Sequence, residues 1–370
     1  MTAMVLAIHI MLLLTLNIVP EETQWWKVQT SGLDTNLRGV SATYSWDLKG
    51  MPVVWASGSN GVVLRSIDFG KTWKRLQVAD GDKLDFRGIV ALSEKTAYLM
   101  SSGEGEKSRI YKTTDGGETW KLQYTDKHKE FFLDSIACLS ETHCFALGDP
   151  LDGKFLLLKT TDGANWNPLP SENLPRALPG EGAFAASNTC LLLSGADIFF
   201  GTGGPEARVF HSPDSGQSWT VTETPIAHGN ASSGIFSIAR GVGKDLVVVG
   251  GDYQNPERAS SVAAYSRDEG KTWQLSTQQP GGYRSSVAHI KGSLLVVAGP
   301  NGGNISYDSA IRWNHMHSLN FNSVAFLDFY TGWAVGPGGS IALFVNRVGF
   351  DIRYRAPHDR QPRAASTVAD

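Results

Sequence analysis

The sequence predicts an all-β protein, a seven-bladed β-propeller made of four-stranded antiparallel blades. An eight-residue motif, Ser/Thr-x-Asp-x-Gly-x-Thr/Ser-Trp, returns along the chain every 40 to 54 residues. A period of that size with a Trp at its end is typical of propeller blades. The 370 residues include 40 glycines and 11 tryptophans but only 19% charged residues. That composition favours many short strands joined by turns.

The motif predicts a tight turn between two strands, and we call it the turn motif. Its six copies centre on Asp68, Asp115, Asp162, Asp214, Asp268 and Asp308. Gly tolerates the positive φ of a short turn, the Asp carboxylate accepts nearby backbone N–H groups, and the Trp buries its ring in the next strand. The copy at Asp162 is one residue short, and the copy at Asp308 has Ala310 and Arg312 in place of Gly and Thr. One Asp per turn is not a ligand cluster, so we interpret all six as structural.

Three β-rich segments precede each turn motif, and the strand after the motif completes the blade. The first three strands of blades one, two and three are predicted at 37–42, 53–58 and 62–65, at 86–92, 96–100 and 109–112, and at 135–139, 144–148 and 154–159. Those of blades four, five and six are predicted at 182–186, 189–194 and 207–211, at 235–239, 246–250 and 263–266, and at 286–290, 294–298 and 305–307. In blade four a further β-rich segment, 197–201, leaves the strand boundaries open.

A seventh blade is predicted without a turn motif. Segments 322–326, 333–336 and 340–345 repeat the first three strands of a blade. The fourth strand is missing there, whereas segment 24–29, Gln-Trp-Trp-Lys-Val-Gln, is similar to the strand that normally follows a motif. We therefore expect the N-terminal strand to complete the last blade and close the ring, which leaves no open sheet edge.

The two ends of the chain are predicted to lie outside the propeller, which spans residues 21–347. Residues 4–19 form an apolar run of sixteen, which is typical of an export signal and places that signal within residues 1–20. No Lys or Arg precedes the run and no Ala-x-Ala cleavage site follows it, so a buried strand or a short membrane anchor is the alternative. Residues 348–370 lack an apolar period and are predicted to be disordered. We expect an exported protein, periplasmic or secreted.

The charge of the chain indicates which class of partner is disfavoured, and its cysteines bear on whether the compartment is oxidising. The formal net charge is −3 and the basic residues form no run, which argues against nucleic acid as a partner. Three cysteines are too few for a disulfide framework. Cys138 and Cys144 flank a predicted hairpin turn, and they either form a disulfide in an oxidising compartment or remain two buried thiols. We expect a monomer.

The face opposite the turn motifs is the predicted functional face, because the starts of the first strands and the longer loops gather there around the channel. The candidate ligand-binding residues on it are Arg38, Arg87, Arg284, Tyr283 and Glu181. Three arginines at a channel mouth would clamp a carboxylate through their planar guanidinium groups. In the alternative, the arginines pair with Asp134, Glu181 and their neighbours and leave a self-neutralised channel.

Three other patterns predict no catalysis, metal or cofactor. Asp149 and Asp152 are spaced like a carboxylate pair, but Asp-Pro and Asp-Gly favour turns. His315 and His317 offer two imidazoles without a carboxylate or Cys nearby in the sequence, so we expect no metal site. No Gly-rich loop follows a strand and opens a helix, so we expect no nucleotide cofactor.

Four features of the chain resemble the photosystem II assembly and stability factor family of Asp-box (BNR repeat) propellers. They are the turn motifs, Leu37 to Val40, Val54 to Gly61, and the Gly-Trp-Ala-Val-Gly at Gly332 to Gly336. The likeness covers residues 24–346 and points to the broader bacterial branch of that family. It implies an exported, non-enzymatic seven-bladed propeller that binds a protein client partly through arginines on one face. Arg38, Arg87 and Arg284 stand where such a patch is expected. A small acidic or carbohydrate ligand on the same face is the alternative partner.

Bacterial sialidases share the turn motif, so a sialidase-like glycoside hydrolase is the alternative function. Its arginine triad would be Arg38, Arg87 and Arg284, its nucleophile Tyr283 activated by Glu181, and its acid Asp134 or Asp152. The Arg-Ile-Pro that opens many sialidases is absent, since Gly39 and Val40 follow Arg38. Hydrolysis predicts the Tyr283 hydroxyl within hydrogen-bond reach of Glu181, whereas a binding protein does not.

Overall fold

The computed structural model describes residues 25–345, which form seven antiparallel sheets arranged as the blades of a propeller. The predicted all-β, seven-bladed fold is confirmed. Six sheets have four strands, and the sheet of blade five gains a short fifth strand. The described residues contain two short 3-10 turns, Gly105–Lys107 and Pro337–Gly339, and none of their helices has the length and hydropathy that a membrane span requires.

Apart from β1 and β16, the strands follow the chain order around the ring. Blade one comprises β2 (Leu37–Ser45), β3 (Met51–Gly58), β4 (Val63–Ser66) and β5 (Lys74–Leu76). Blade two comprises β6 (Asp85–Ala91), β7 (Ala97–Ser102), β8 (Arg109–Thr113) and β9 (Lys121–Thr125). Blade three comprises β10 (Leu133–Cys138), β11 (Cys144–Leu151), β12 (Lys154–Thr160) and β13 (Asn167–Pro168). Blade four comprises β14 (Leu191–Ser194), β15 (Asp197–Gly201), β17 (Arg208–Ser212) and β18 (Thr220–Glu223). Blade five comprises β16 (Gly203–Gly204), β19 (Asn230–Arg240), β20 (Leu246–Asp252), β21 (Ala263–Ser266) and β22 (Gln274–Leu275). Blades six and seven comprise β23 (Ser286–Lys291), β24 (Leu294–Gly299), β25 (Gly302–Ser306) and β26 (Asn314–His317), then β27 (Ser323–Asp328), β28 (Thr331–Val335), β29 (Ser340–Phe344) and β1 (Trp26–Thr30).

The first strand closes the ring, as predicted. β1 pairs antiparallel with β29 and becomes the outer strand of blade seven. The Trp26 ring is fully buried and packs edge-on against Phe344 and at a tilt against Phe321. Both ends of the described chain therefore lie in one sheet, and separating them would expose a large aromatic core.

The turn motifs form the hydrogen bonds that their residue types predict. Asp68 accepts the backbone N–H of Thr72 at 2.9 Å and its hydroxyl at 2.6 Å. Ser66 accepts the N–H of Gly70, whose φ is +75°, and Trp73 Nε1 donates to the Gly70 carbonyl. The same pattern of Asp and hydroxyl bonds recurs at Asp115, Asp214 and Asp268.

The two divergent copies keep the turn with substitute partners. Asp162 accepts the side-chain amide of Asn165 at 2.7 Å. Asp308 accepts Nε of Arg312 at 2.8 Å, and Ala310 adopts the positive φ, 69°, that glycine has elsewhere. In all six turn motifs the Asp carboxylate therefore accepts hydrogen bonds from within its own turn.

Blade four corrects one sequence prediction. Segment 182–186 is not the first strand of that blade, because its only ladder contact in the described chain is a bridge between Gly182 and Gly203. The first strand is β14, which had been predicted as part of the second, and the extra segment 197–201 is the second strand, β15. The residues that were misassigned lie instead across the mouth of the channel.

Residues 182–190, which we call the channel segment, bond to five other blades, including blade five through Thr189 and Ser237. The carbonyl of Ala185 accepts from Arg87 of blade two, and Asn188 bonds the backbone N–H and C=O of Ile136 in blade three. Ser187 donates to the Ser285 carbonyl at the start of blade six, and its own carbonyl accepts from Ser323 of blade seven. The channel segment thus ties blades together across the ring.

The cysteines resolve the two alternatives left open by the sequence. Cys138 and Cys144 face each other across the β10–β11 hairpin, with Cα atoms 4.0 Å apart, and form a disulfide. Cys190 is free and buried. The predicted export signal and disordered tail lie outside the described residues.

Candidate ligand-binding site at the channel mouth

Four inner strands have a register shift at equivalent positions, on the side of the blade opposite the turn motifs. The ladder skips one residue in β2, β6, β10 and β19, and the skipped residues are Arg38, Arg87, Asp134 and Phe236. A β-bulge leaves its residue unpaired and redirects the side chain. The four bulged residues therefore form one level of the propeller at the channel mouth.

The residue after each bulged arginine is a glycine because the backbone is crowded there. A Cβ on Gly39 would lie 2.8 Å from Ser57 Oγ and 3.1 Å from the Arg87 carbonyl oxygen. A Cβ on Gly88 would lie 2.6 Å from Oδ1 of Asn188 in the channel segment. Tight packing behind the arginines holds their strands in place.

Arg38 and Arg87 are neighbours with unequal sets of partners. Arg87 donates to Asp85 at 2.7 Å and to the Ala185 carbonyl at 3.0 Å. Nε of Arg38 is buried and has no hydrogen-bond partner within residues 25–345. Burial and then the charge of Arg87 lower the pKa of Arg38, while Asp85 and Tyr283 oppose that shift. A buried donor without an acceptor is costly, so Arg38 is the arginine in this site that a ligand would satisfy.

An aromatic wall stands beside Arg38. The Tyr283 ring packs edge-on against Phe236 at 4.7 Å between centroids, and Phe184 of the channel segment stacks on Phe236 at 3.8 Å. Tyr253, which is 49% exposed, covers the outer edge of Phe236. Burial raises the pKa of Tyr283, although Arg38 opposes the shift. The wall supplies apolar contact area next to a cation.

Two carboxyl groups lie on the other side of Arg87. Asp134 is 1% exposed, and its pKa is raised well above the usual value by burial and then by the charge of Asp149, against the opposing charge of Arg87. Asp149 accepts the N–H of Ala183 at 3.0 Å, and burial raises its pKa to about 6. The carboxyl group whose charge acts on Asp134 is thus Asp149, and the two repel each other when both are ionised. Asp152 lies in the β11–β12 turn with φ 52°, as its turn interpretation predicted.

A cavity of about 770 Å³ opens between blades three, four and five beside these groups. Asp149, Arg176, Glu181 and Phe184 line it together with glycines 180, 182, 203 and 204. Phe184 lines this cavity and also stacks on Phe236 in the aromatic wall, so the cavity and the wall adjoin.

Glu181 and Arg284 have other partners than the sequence predicted. Glu181 binds Arg208 through both carboxylate oxygens and accepts the Thr202 hydroxyl at 2.6 Å. No hydrogen bond joins Glu181 to Tyr283 in the described chain. Arg284 is 1% exposed and donates to Asn304 at 2.7 Å, and burial lowers its pKa to about 10. The structure therefore brings Arg38, Arg87 and Tyr283 together, with Asp134 adjoining, and commits Arg284 and Glu181 elsewhere.

Of the two histidines, His317 lies in an aromatic cluster. His317 is fully buried and packs against Trp26 and Phe321. Residues 25–345 contain no group of three or more His, Cys, Asp or Glu side chains placed to hold a metal ion.

Sequence reasoning missed the aromatic part of the site. Phe236 occupies the bulge position in Ile235-Phe236-Ser237-Ile238, and Arg38 occupies it in Leu37-Arg38-Gly39-Val40. Both segments have the pattern apolar-x-small-apolar. Aligning the first strands of the blades on that pattern identifies Arg38 and Phe236 as equivalent positions. Phe184 carries no such signal, because it lies in the irregular channel segment.

Comparisons with known proteins agree with the fold and the repeat. Residues 264–275 match the BNR/Asp-box repeat, and a search of curated proteins found no match. Similar solved structures include YCF48 bound to D1 peptide, which is 15% identical with a TM-score of 0.61 over 86% of this chain and 96% of that chain. YCF48 from Cyanidioschyzon merolae is also 15% identical, with a TM-score of 0.61 over 87% of this chain and 99% of that chain. The chain is thus a seven-bladed β-propeller that carries an Asp-box repeat and is similar in fold to YCF48.

Proposed function

We propose that the protein is an exported, non-enzymatic binding propeller whose client is a protein that docks at the channel mouth. The observation that carries the proposal is Arg38, whose buried Nε has no hydrogen-bond partner among the described residues and which lies beside a second arginine and an aromatic wall. The solved complex of YCF48 with a D1 peptide supports a polypeptide as the ligand of a propeller of this fold.

The chemistry of the site indicates an acidic segment of the client. Asp85 is the carboxylate bonded to Arg87, which leaves the charge of Arg38 for a ligand. A carboxylate matches the planar donor fork of a guanidinium. Tyr253 and Phe236 would cover an apolar residue next to that carboxylate.

Contacts of the hydrolase candidates favour binding over catalysis. A tyrosine nucleophile needs a base that lowers its pKa or takes its proton. Burial raises the pKa of Tyr283, and the Glu181 carboxylate is engaged by Arg208. Between positions 25 and 345, neither side chain has the partner that nucleophilic attack requires.

Export is supported by the disulfide as well as by the apolar run. A disulfide between Cys138 and Cys144 is stable in the periplasm or outside the cell and rare in a reducing cytosol. We expect the chain to be recovered from periplasmic or secreted fractions with both cysteines oxidised. Recovery from the cytosol with two free thiols at these positions would refute export.

Site-specific photocrosslinking tests the binding function. A crosslinking amino acid replaces Tyr253 at the edge of the site, and the matched control replaces Tyr307, an exposed tyrosine in a turn motif. We expect one client to be captured from periplasmic extract at position 253 and not at 307. Arg38→Ala should reduce its recovery about tenfold, whereas Arg75→Ala, in an exposed outer strand, should not. Equal capture at both positions, or capture insensitive to Arg38→Ala, would contradict the proposal.

A further inference from the structure

The cavity between blades three, four and five takes no part in the proposed function. Its volume of about 770 Å³ suits a small molecule or a long side chain. Phe184 lines the cavity and stacks on Phe236 of the aromatic wall, so the cavity adjoins the surface that the client segment would cover. Glycines 180, 182, 203 and 204 also line it, which leaves its chemistry to a few charged side chains.

The charged residues that line the cavity are Asp149, Arg176 and Glu181. Glu181 is neutralised by Arg208, which binds both of its carboxylate oxygens. Arg176 is exposed, and its guanidinium donates to the backbone carbonyl of Asp152 at 3.2 Å. Asp149 forms no ion pair with any residue of the described chain and accepts a backbone N–H instead. Asp149 therefore sets the charge that the cavity offers to a ligand.

The Asp149 carboxylate has acceptor positions to spare. Its Oδ1 accepts the Ala183 N–H at 3.0 Å, and a Cβ on Gly182 would lie 3.0 Å from the same oxygen, so a glycine there keeps the carboxylate uncovered. Asp134 on the neighbouring strand adds a second carboxyl group, whose Oδ2 is buried and has no hydrogen-bond partner among residues 25–345. Because one carboxylate accepts about four hydrogen bonds, the pair lacks donors.

In the absence of a cation the two carboxyl groups hold their protons more tightly than usual. Burial raises the pKa of Asp149 to about 6. Burial and then the charge of Asp149 raise the pKa of Asp134, against the opposing charge of Arg87, which is already bonded to Asp85. A positive charge placed beside such groups favours their ionised form. The cavity is therefore suited to a cation that exchanges with a proton.

We propose that the cavity binds an arginine side chain with Asp149 as its carboxylate partner. The inference rests on the proposed function for the source of that arginine, which is the client segment whose acidic residue reaches Arg38. A guanidinium matches a carboxylate through two parallel hydrogen bonds, and its planar face stacks on an aromatic ring such as Phe184. The channel mouth then recognises a segment that carries an acidic residue and a basic one.

Two small compounds test the cavity in the full chain, Nα-acetyl-arginine amide and its neutral isostere Nα-acetyl-citrulline amide, titrated by saturation-transfer NMR at pH 7. We expect the arginine compound to bind with a Kd at least about tenfold lower, because only it forms charge-assisted hydrogen bonds. Asp149→Asn, which still accepts the Ala183 N–H, should raise that Kd about tenfold. Asp152→Asn, at an exposed aspartate in the β11–β12 turn, is the matched control and should equal the wild type.

A second variant leaves the carboxylate in place. Ala231 is exposed and lines the cavity, so Ala231→Trp should fill the cavity and weaken binding of the arginine compound about as much as Asp149→Asn. Arg38→Ala should leave that Kd within about twofold of the wild type, so that failure of the arginine site and failure of client binding at Arg38 are seen separately. A loss of binding in Arg38→Ala would place the compound at Arg38 and overturn the inference.

The pH dependence of binding provides the last test. Between pH 7 and pH 5 the ionised fraction of a carboxyl group whose pKa is about 6 falls from about nine tenths to about one tenth. Binding of the arginine compound should therefore weaken about tenfold in the wild type and stay constant in Asp149→Asn. The inference is wrong if the citrulline compound binds as tightly, if neither compound binds at millimolar concentrations, if Asp149→Asn and Ala231→Trp leave the Kd unchanged, or if acid has no effect on the wild type.

Discussion

At the residue scale, each turn motif is held by one carboxylate. Asp268 accepts the Thr272 N–H at 2.9 Å and the Thr272 hydroxyl at 2.7 Å, and Ser266 donates to it. Side-chain and backbone hydrogen bonds lower the pKa of Asp268 to about 2. The motif was readable from sequence because every partner lies within four residues of the Asp.

Removing that carboxylate should destabilise the propeller moderately. We expect Asp268→Ala to lower the free energy of unfolding by about 1–2 kcal/mol. One backbone N–H and two side-chain hydroxyls lose a charged acceptor in this variant. Urea denaturation measures the change. Asp82→Ala, at an exposed aspartate outside the motifs, should stay within about 0.5 kcal/mol of the wild type. Equal effects of the two substitutions would show that the motif carboxylate contributes nothing specific.

Asp149 should make the free energy of unfolding decrease as pH rises. The direction is opposite to that of Asp268, whose pKa is lowered. Its folded-state pKa is raised to about 6 from a usual value of 3.8, so the folded state binds the proton more tightly than the unfolded state. Stability contributed by the protonated form is complete below pH 3.8 and is lost as pH rises to about 6. Asn at this position cannot ionise but still accepts the Ala183 N–H.

We therefore expect Asp149→Asn to flatten the decline in unfolding free energy between pH 4 and 6 relative to the wild type. Denaturation midpoints across that range provide the measurement. An unchanged pH slope in the variant would assign the decline to other groups, of which buried Asp134 is the first to test.

At the element scale, the channel segment is the feature that local patterns did not reveal. Ser187 bonds Ser285 and Ser323, at sequence separations of 98 and 136 residues. Contacts over such distances leave no periodic trace in a short window, so a β-rich stretch was assigned to blade four. The remaining strands were predicted within a few residues, because apolar alternation and turn residues are local signals.

Asn188 provides the test of this element. It bonds both backbone groups of Ile136, at 2.8 and 3.0 Å, and has a φ of 66°. We expect Asn188→Gly to cost about 2 kcal/mol through the lost hydrogen bonds, and Asn188→Ala to cost about 1 kcal/mol more because a Cβ strains the left-handed conformation. Thermal or urea unfolding compares the two variants. Losses below 0.5 kcal/mol in both would show that the segment does not fasten the blades together.

At the scale of the whole molecule, the propeller separates two surfaces. The turn motifs occupy one face, while the bulged positions of the inner strands place Arg38, Arg87 and Phe236 toward the other. The sequence could place the starts of the first strands opposite the turn motifs, because strand order alone decides which loops share a face. It did not predict that Arg284 bonds Asn304, since the direction of a side chain depends on partners from other strands.

The affinity of the client for Arg38 variants tests the central claim most directly. The client captured at position 253 is titrated against wild-type protein, Arg38→Ala, Arg38→Lys and Arg75→Ala by calorimetry. If Arg38 supplies the vacant donor to an acidic segment, its replacement by Ala raises Kd about 10- to 100-fold, Lys restores part of the affinity, and Arg75→Ala matches the wild type. A Kd for Arg38→Ala within about twofold of the wild type, well below the effect of losing one charged hydrogen bond, would contradict the account.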